Sequence, residues 1–508
     1  MVVVVDFGSQ TAHLITRRLK EAGVASIFVT PDKARSKIHE LSPEGIILSG
    51  GPASVYDKGA PTLDAELFSL GIPLLAICYG MQLAMQLLGG TVVSGKKEYG
   101  PAVLSITDTR HPLVQGLPKT STVWMSHGDE VTKLPQGFTT IAATSHVPFA
   151  LVADEKRKLY GALFHPEVEH TEYGSRILHN FLKLCGVSAK KEQIDTTAIL
   201  TQIKETVGEG YVIGAVSGGV DSTVAAALAA RAIGKRFIPF YVENGLMREG
   251  THAHVKEIFK SLGVPVRICR VEQEMLTKLA GITDPEEKRK TIGAFYITVF
   301  EREMEKLRKQ GRNVQFLLQG TIYSDVIESK GTKHASKIKS HHNVGGLPKK
   351  MQLKLLEPVR TFYKDEVREI GRSLGLPEEF IMQQPFPGPG FAIRVRGEVT
   401  AERLTKVKIA DTIILEELSS AGMLRDVFQS FAIMTGAFST AVKGDGRFFG
   451  EVVAIRIIES RDVMTSRWSR VPYDILQTMA SRIVNEVPGV SRVVYDITTK
   501  PPATMEWE

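Results

Sequence analysis

Tyr211-Val212-Ile213-Gly214-Ala215-Val216-Ser217-Gly218-Gly219-Val220-Asp221-Ser222-Thr223 is the stretch on which the fold turns. Residues 211–216 are mostly apolar, as in a buried strand, and residues 223–233 have the composition of a helix. Between them, Gly218 and Gly219 let the backbone come close to an anion. The first unpaired N–H groups of the following helix would face that anion with a favourable dipole. The hydroxyls of Ser217 and Ser222 add donors, and Val220 and Thr223 complete the stretch. A nucleoside-triphosphatase loop would read Gly-x-x-x-x-Gly-Lys-Ser/Thr, whereas Asp221 stands near the place of that lysine. A carboxylate beside phosphate oxygens needs a cation between them, so the spelling predicts a Mg2+-bound pyrophosphate group rather than a lysine-clamped γ-phosphate. Spacing alone is also compatible with an ordinary glycine-rich turn.

The strand-helix rhythm extends in both directions. Downstream, apolar runs at 236–242, 264–271 and 314–318 alternate with helical stretches and predict an α/β domain. Upstream, runs at 2–5, 45–48, 72–77 and 159–164 alternate with helical patterns at 12–22, 81–88 and 175–184, predicting a mostly parallel sheet. Residues 188–195 are polar and read as a linker, and the basic stretch 330–350 reads as a surface loop. Pro385-Phe386-Pro387-Gly388-Pro389-Gly390 excludes a regular element. Beyond it, helical patterns at 401–418 and 473–485 accompany strand-like runs at 452–458 and 492–497. The expected class is α/β: two successive doubly wound α/β domains, 1–188 and 189–384, followed by a smaller α+β domain, 385–508.

Composition agrees with several domains, since 508 residues exceed one ordinary core. Hydrophobic residues make up 43% and charged residues 23%, and no apolar run approaches the ~20 residues of a membrane span. The start, Met1-Val2-Val3-Val4-Val5-Asp6, reads as a strand rather than a signal peptide. Cys78, Cys185 and Cys269 lie far apart without metal-ligand spacing, which disfavours a disulfide framework and predicts a cytoplasmic protein. The net charge of +7 suits nucleotides and nucleic acids alike.

Cys78 ends the run 72–77 and precedes Tyr79-Gly80 and a helical stretch, the strand-turn-helix setting of an exposed nucleophile. The free N–H groups at a helix start favour the thiolate, which attacks carbonyls when a base and an oxyanion hole are near. Backbone N–H groups at Tyr79 and in the Gly50-Gly51-Pro52 turn are candidates for that hole. His165 is the candidate base, and Glu167 can fix its tautomer. A buried structural cysteine and a surface His-Pro-Glu turn are the alternative readings.

Together, Cys78-Tyr79-Gly80-Met81-Gln82, Gly50-Gly51-Pro52 and His165-Pro166-Glu167 resemble class I glutamine amidotransferases. The 217–222 string resembles N-type ATP pyrophosphatases, and the combination resembles the family of glutamine-hydrolysing GMP synthetases along the whole chain. The resemblance also rests on Asp6-Phe7-Gly8-Ser9-Gln10, Gln319-Gly320-Thr321, His341-His342-Asn343-Val344-Gly345-Gly346 and Lys500-Pro501-Pro502-Ala503-Thr504. It implies a glutamyl thioester on Cys78, His165 as base, Glu167 as its orienter, and Gly51 with Tyr79 as oxyanion donors. Ammonia would then displace AMP from adenylylated XMP to give GMP, reaching it through a passage shielded from protonation. The resemblance further implies ATP on Ser217, Gly218, Gly219, Val220, Asp221, Ser222, Thr223 and Lys339. Mg2+ would lie on Asp221, Asp325 and Glu328, a lid would carry His341, His342 and Asn343, and XMP would meet Arg248, Lys500, Thr504 and Glu506. A homodimer through the last domain is implied too, with no nucleic acid or membrane partner. The chain departs from the family pattern at Thr435-Gly436-Ala437-Phe438, where Leu-Pro-Val and a basic residue are usual, so Lys443 or Arg447 would have to supply that charge. An RNA-modifying pyrophosphatase is the competing class, but the chain has no cysteine pair for sulfur transfer and no appended RNA-binding module.

Overall fold

The computed structural model describes residues 1–9, 11–187, 194–323, 325–326, 353–443, 445–460, 465–500 and 502–508. These fall into two compact units, residues 1–187 and 194–508. Glu328, Lys339, His341, His342, Asn343 and the stretch 330–350 lie outside the described residues. Among the described residues no helix is long and apolar enough to cross a membrane.

In the first unit, strands β1 (Val2–Val5), β2 (Ser26–Val29), β3 (Gly45–Leu48), β4 (Leu74–Ile77), β5 (Thr91–Ile106), β6 (Thr120–Lys133), β7 (Thr139–Ala143), β8 (Leu151–Asp154) and β9 (Leu159–Ala162) form one sheet. Its order is β2-β1-β3-β4-β9-β8-β7-β5-β6. The segment β2-β1-β3-β4-β9 is parallel, as expected for the runs that became β1, β3, β4 and β9, while β2 was not among the predicted strands. β1, β3, β4 and β9 are buried throughout, which explains why they read as unbroken apolar runs. The remaining strands pair antiparallel, an extension the sequence did not reveal. β6 does alternate, but two of its inward positions are His127 and Asp129.

In the second unit, β10 (Tyr211–Ala215), β11 (Phe237–Glu243), β12 (Arg267–Arg270), β13 (Val314–Leu318) and β14 (Lys354–Leu356) form a wholly parallel sheet. The order β12-β11-β10-β13-β14 places a topological switch between β10 and β13. The helix Val220–Ile233 buries Ala225, Ala226, Ala227, Ala229 and Ala230, side chains small enough for close packing on its neighbours. Then β15 (Gln429–Lys443), β16 (Gly446–Glu459), β17 (Arg467–Trp468) and β18 (Val490–Tyr495) form a mixed sheet covered by helices Ala401–Ser420 and Tyr473–Glu486. One apolar cluster runs from Ile213 and Phe240 through Phe391 and Val407 to Val453 and Val490, so both sheets share a core.

The segment 496–508 is held by three cationic side chains with no exposed surface. Arg456 donates to Asp496 (2.6 Å) and to the carbonyls of Thr498, Thr504 and Met505. Arg394 makes a two-pronged pair with Glu506, both bonds at 3.0 Å. Lys288 meets Glu508 at 2.5 Å and the carbonyl of Val395 at 2.7 Å. The unusual Thr435-Gly436-Ala437-Phe438 forms a bulge in β15. Gly436 has φ +70° there and its N–H reaches Glu451, while Phe438 stacks on Phe449 at 5.6 Å.

Candidate active sites

Cys78 follows β4 and begins the helix Tyr79–Leu87 with φ +48° and ψ −111°, a conformation non-glycine residues adopt only under strain. The turn is sharp because the helix start sits directly on β3: a Cβ on Gly80 would meet Leu48 Cβ at 2.7 Å and Ser49 O at 2.8 Å. The Cys78 N–H donates to Ala162 O (2.8 Å) at the end of β9, and Sγ lies 3.5 Å from Ser126 O.

His165 leaves the same end of β9. Its Nδ1 is 2.7 Å from Glu167 Oε1, and the Thr11 hydroxyl donates to that oxygen at 2.6 Å. Glu167 is fully buried, and Arg18 Nε donates to its carbonyl (3.2 Å). A Cβ on Gly50 would come within 3.1 Å of His165 Cε1 and 3.6 Å of Cys78 Cβ, while one on Gly51 would meet Tyr79 Cγ at 3.3 Å. The candidate nucleophile, base, orienter and oxyanion donors therefore converge at the carboxyl ends of β3, β4 and β9. Thr11 was not singled out from sequence, although it directly follows the 6–10 motif.

Burial by itself would depress the basicity of His165. The Glu167 carboxylate and the Cys78 sulfur outweigh it and hold the imidazole well above its ordinary value of 6.5. The proton is thus retained at neutral pH, and its stabilising contribution, complete below 6.5, disappears as pH rises through the folded value. Glu167→Gln removes the main upward influence. The alkaline limb of the amide hydrolysis expected of this site should move to lower pH, with a loss of about 100-fold in kcat. A pH–rate profile with an unshifted alkaline limb would contradict this assignment.

The glycine-rich loop follows β10. The helix begins at Val220, three residues earlier than predicted, so Val220, Asp221, Ser222 and Thr223 form its first turn and only Ser217, Gly218 and Gly219 are loop. Gly218 has φ +82°, and a Cβ there would lie 2.5 Å from Thr251 Cγ2. The hydroxyls of Ser217 and Ser222 meet at 2.9 Å, and Ser222 Oγ donates to Gly219 O at 3.0 Å. Gly320, just beyond β13, packs on this turn: a Cβ there would be 2.6 Å from Ser222 Cα. The loop thus lies in the crevice at the switch point, where open parallel sheets bind ligands.

Asp221 Oδ2 receives Lys364 Nζ at 2.6 Å, while Asp221 Oδ1, Thr223 Oγ1 and Gln319 Oε1 are buried without a hydrogen-bond partner. A lysine at the start of the helix Lys364–Ser373 thus meets the aspartate of the loop, and no local signal in the sequence pointed to it. Asp325 accepts the Ile322 N–H (3.0 Å) in a local turn. Among the described residues no three His, Cys, Asp or Glu side chains cluster as a metal site.

Arg248 Nε is 2.7 Å from Asp411 Oδ2, and its guanidinium lies over Phe386 at 4.9 Å. Asp411 also lies 3.7 Å from Arg394, the partner of Glu506, so Arg248 and Glu506 are joined through one buried ion network. The Thr504 hydroxyl donates to the Glu506 carbonyl, and the main chain of Lys500 pairs with Ser466.

Comparison with known proteins agrees with this order of parts. The family described as glutamine amidotransferase class-I matches residues 3–185, NAD synthase matches 193–294, and the GMP synthase C terminal domain matches 416–507. The GMP synthase (glutamine-hydrolyzing) of Aquifex aeolicus is 49% identical over all of this chain and 99% of its own. That of Thermomicrobium roseum is 50% identical over all of this chain and 96% of its own. With about half of all residues shared from end to end, this chain belongs to the family of glutamine-hydrolysing GMP synthases.

Proposed function

We infer that the chain is a ligase that makes GMP from XMP, ATP and glutamine, releasing AMP, pyrophosphate and glutamate. The observation that carries this is the presence, in one chain, of the Cys78–His165–Glu167 constellation and the Asp221–Lys364 cradle at the switch point of a second sheet. The proposed division is 1–188 for glutamine hydrolysis, 189–384 for ATP pyrophosphatase chemistry and 385–508 for XMP binding and dimerisation.

In the first unit the Cys78 thiolate attacks the side-chain carbonyl of glutamine, and N–H groups of Gly51 and Tyr79 receive the oxyanion. His165 gives its proton to the departing ammonia and then takes one from the water that cleaves the thioester, while Glu167, steadied by Thr11, keeps the ring oriented. In the second unit the XMP oxygen at C2 attacks the α-phosphorus of ATP and pyrophosphate leaves. Ammonia then displaces AMP.

Ser217, Gly218, Gly219, Val220, Ser222 and Thr223 would surround the departing pyrophosphate with N–H and O–H donors, and Lys364 would transfer from Asp221 to a phosphate oxygen. Mg2+ fits beside Asp221, whose Oδ1 is a buried acceptor lacking a donor; when bound, the ion neutralises phosphate charge. Asp325 and Glu328 are the further proposed ligands, and Lys339, His341, His342 and Asn343 the proposed lid. Arg248, Lys500, Thr504 and Glu506 are proposed for XMP, with Glu506 acting from a carboxylate already steadied by Arg394.

A homodimer is favoured by the stacked Phe438 and Phe449, 57% and 67% exposed at the end of the β15–β16 hairpin. A single-chain mass in sedimentation would remove that proposal. Free cysteines at 78, 185 and 269 accord with a cytoplasmic setting.

ATP–pyrophosphate exchange measured with and without XMP tests the substrate assignment. Exchange should require XMP. Exchange without it, or better support by another acceptor, removes XMP while leaving the loop chemistry intact.

A further inference from the structure

Arg248 leaves the loop after β11, and that loop is fixed before the side chain begins. Asn244, fully buried, donates to the Tyr296 hydroxyl and accepts the Leu246 N–H, both at 2.9 Å, while the Leu246 carbonyl accepts the Phe391 N–H at 2.8 Å. The guanidinium is then held on three sides. Nε donates to Asp411 Oδ2 at 2.7 Å, Nη2 donates to the Ser430 carbonyl at 3.2 Å, and the Phe386 ring lies 4.9 Å away. Ser430 is itself pinned, its N–H and hydroxyl meeting Gln384 Oε1 at 2.9 and 3.0 Å. Nη1 remains, with no hydrogen-bond partner among the described residues, on a side chain 23% exposed.

The carboxylate that does this holding is fixed from behind. Asp411 is buried on the helix Ala401–Ser420, and its Oδ1 lies 3.7 Å from Arg394 Nη1, a buried atom with no hydrogen-bond partner among the described residues. Arg394 cannot shift to close that gap. Its other nitrogens are committed to Glu506, and its guanidinium is packed against Phe431 at 4.1 Å and Phe386 at 4.6 Å. A carboxylate between two guanidinium groups is drawn towards both, yet only Arg248 is close enough for a charge-assisted bond.

We propose that Asp411 is a positioning residue for the nucleotide, holding the Nε–Nη2 edge of Arg248 so that Nη1 is left for an anionic oxygen of XMP. This rests on the proposed assignment of Arg248 to XMP. A guanidinium ordered in advance loses little freedom when the ligand arrives, so the gain falls on binding and not on the chemical step. The arrangement also demands arginine. One ammonium cannot reach Asp411 and the Ser430 carbonyl and still keep a separate pair of donors for a ligand.

Steady-state GMP formation from XMP, ATP and ammonium, measured on the full chain, reads the nucleotide site without the glutaminase. Asp411→Asn should raise KM for XMP by about 10- to 100-fold, while kcat and KM for ATP stay within about threefold. In an Arg248→Met background the same substitution should change KM for XMP by less than about threefold, because the side chain it acts through is already gone. Arg248→Lys, at a partly exposed position, decides the matter even where Asp411→Asn fails to fold: KM for XMP should rise at least about 10-fold although the charge is kept. Additive effects of Asp411→Asn and Arg248→Met, or an Arg248→Lys protein with unchanged KM, would overturn the proposal. So would an Asp411→Asn protein with a lowered thermal midpoint and unchanged KM for XMP, which marks Asp411 as structural. An unchanged KM for XMP in Arg248→Met would instead remove Arg248 from the nucleotide site, and this proposal with it.

Discussion

Cys78→Ala should reduce glutamine-driven GMP formation by at least about 10⁴-fold while formation from added ammonium stays within about twofold of the unsubstituted rate. The size follows from what is removed. The sulfur is the only atom lost, and the group poised to protonate the departing ammonia is left without a partner to act upon. Folding should survive, because alanine fills most of the buried position and the positive φ of residue 78 is no harder for alanine than for cysteine. Release of glutamate and GMP formation from ammonium are followed on the same preparation. Loss of both activities together would count against two separable sites.

Asp221→Asn should lower XMP-dependent ATP–pyrophosphate exchange by about 10³-fold and leave glutamine hydrolysis in place. Asparagine matches aspartate in shape and can still accept from Lys364, so the cradle keeps its geometry. What disappears is the negative charge that makes room for a cation among phosphate oxygens, together with the donor-free Oδ1. Exchange within tenfold of the unsubstituted protein would mean that Asp221 serves only as counter-ion to Lys364.

Much of this was legible in the sequence because the deciding groups are local. β1 and β10 are short, apolar and buried on both faces, so composition alone marks them. Cys78 with Tyr79, and His165 with Glu167, are neighbours in sequence as well as in space. What was hidden depends on tertiary contact. Thr11 reaches Glu167 across the first unit, and Lys364 meets Asp221 from a helix far along the chain. β5 and β6 escaped notice because their inward positions carry a glutamate, a histidine and an aspartate. In the structure Glu98 lies opposite His127 with 3.4 Å between Oε2 and Nε2, and Asp129 receives Tyr56, so the break in the apolar pattern marks polar contacts between strands rather than a loop.

The three buried cations that hold residues 496–508 impose an order on synthesis. Until that segment exists, Lys288 and Arg456 lack the carboxylates they meet in the folded unit and Arg394 has only Asp411, and an unpaired cation in a core costs several kcal/mol. The second unit therefore completes itself only when the last stretch has been translated. The first unit, residues 1–187, can be finished while most of the chain is unmade, an interval of roughly 15 to 65 seconds at common elongation rates. During that time each nascent chain carries a glutaminase without a synthetase. Any restraint on wasting glutamine in that interval has to be built into the first unit itself.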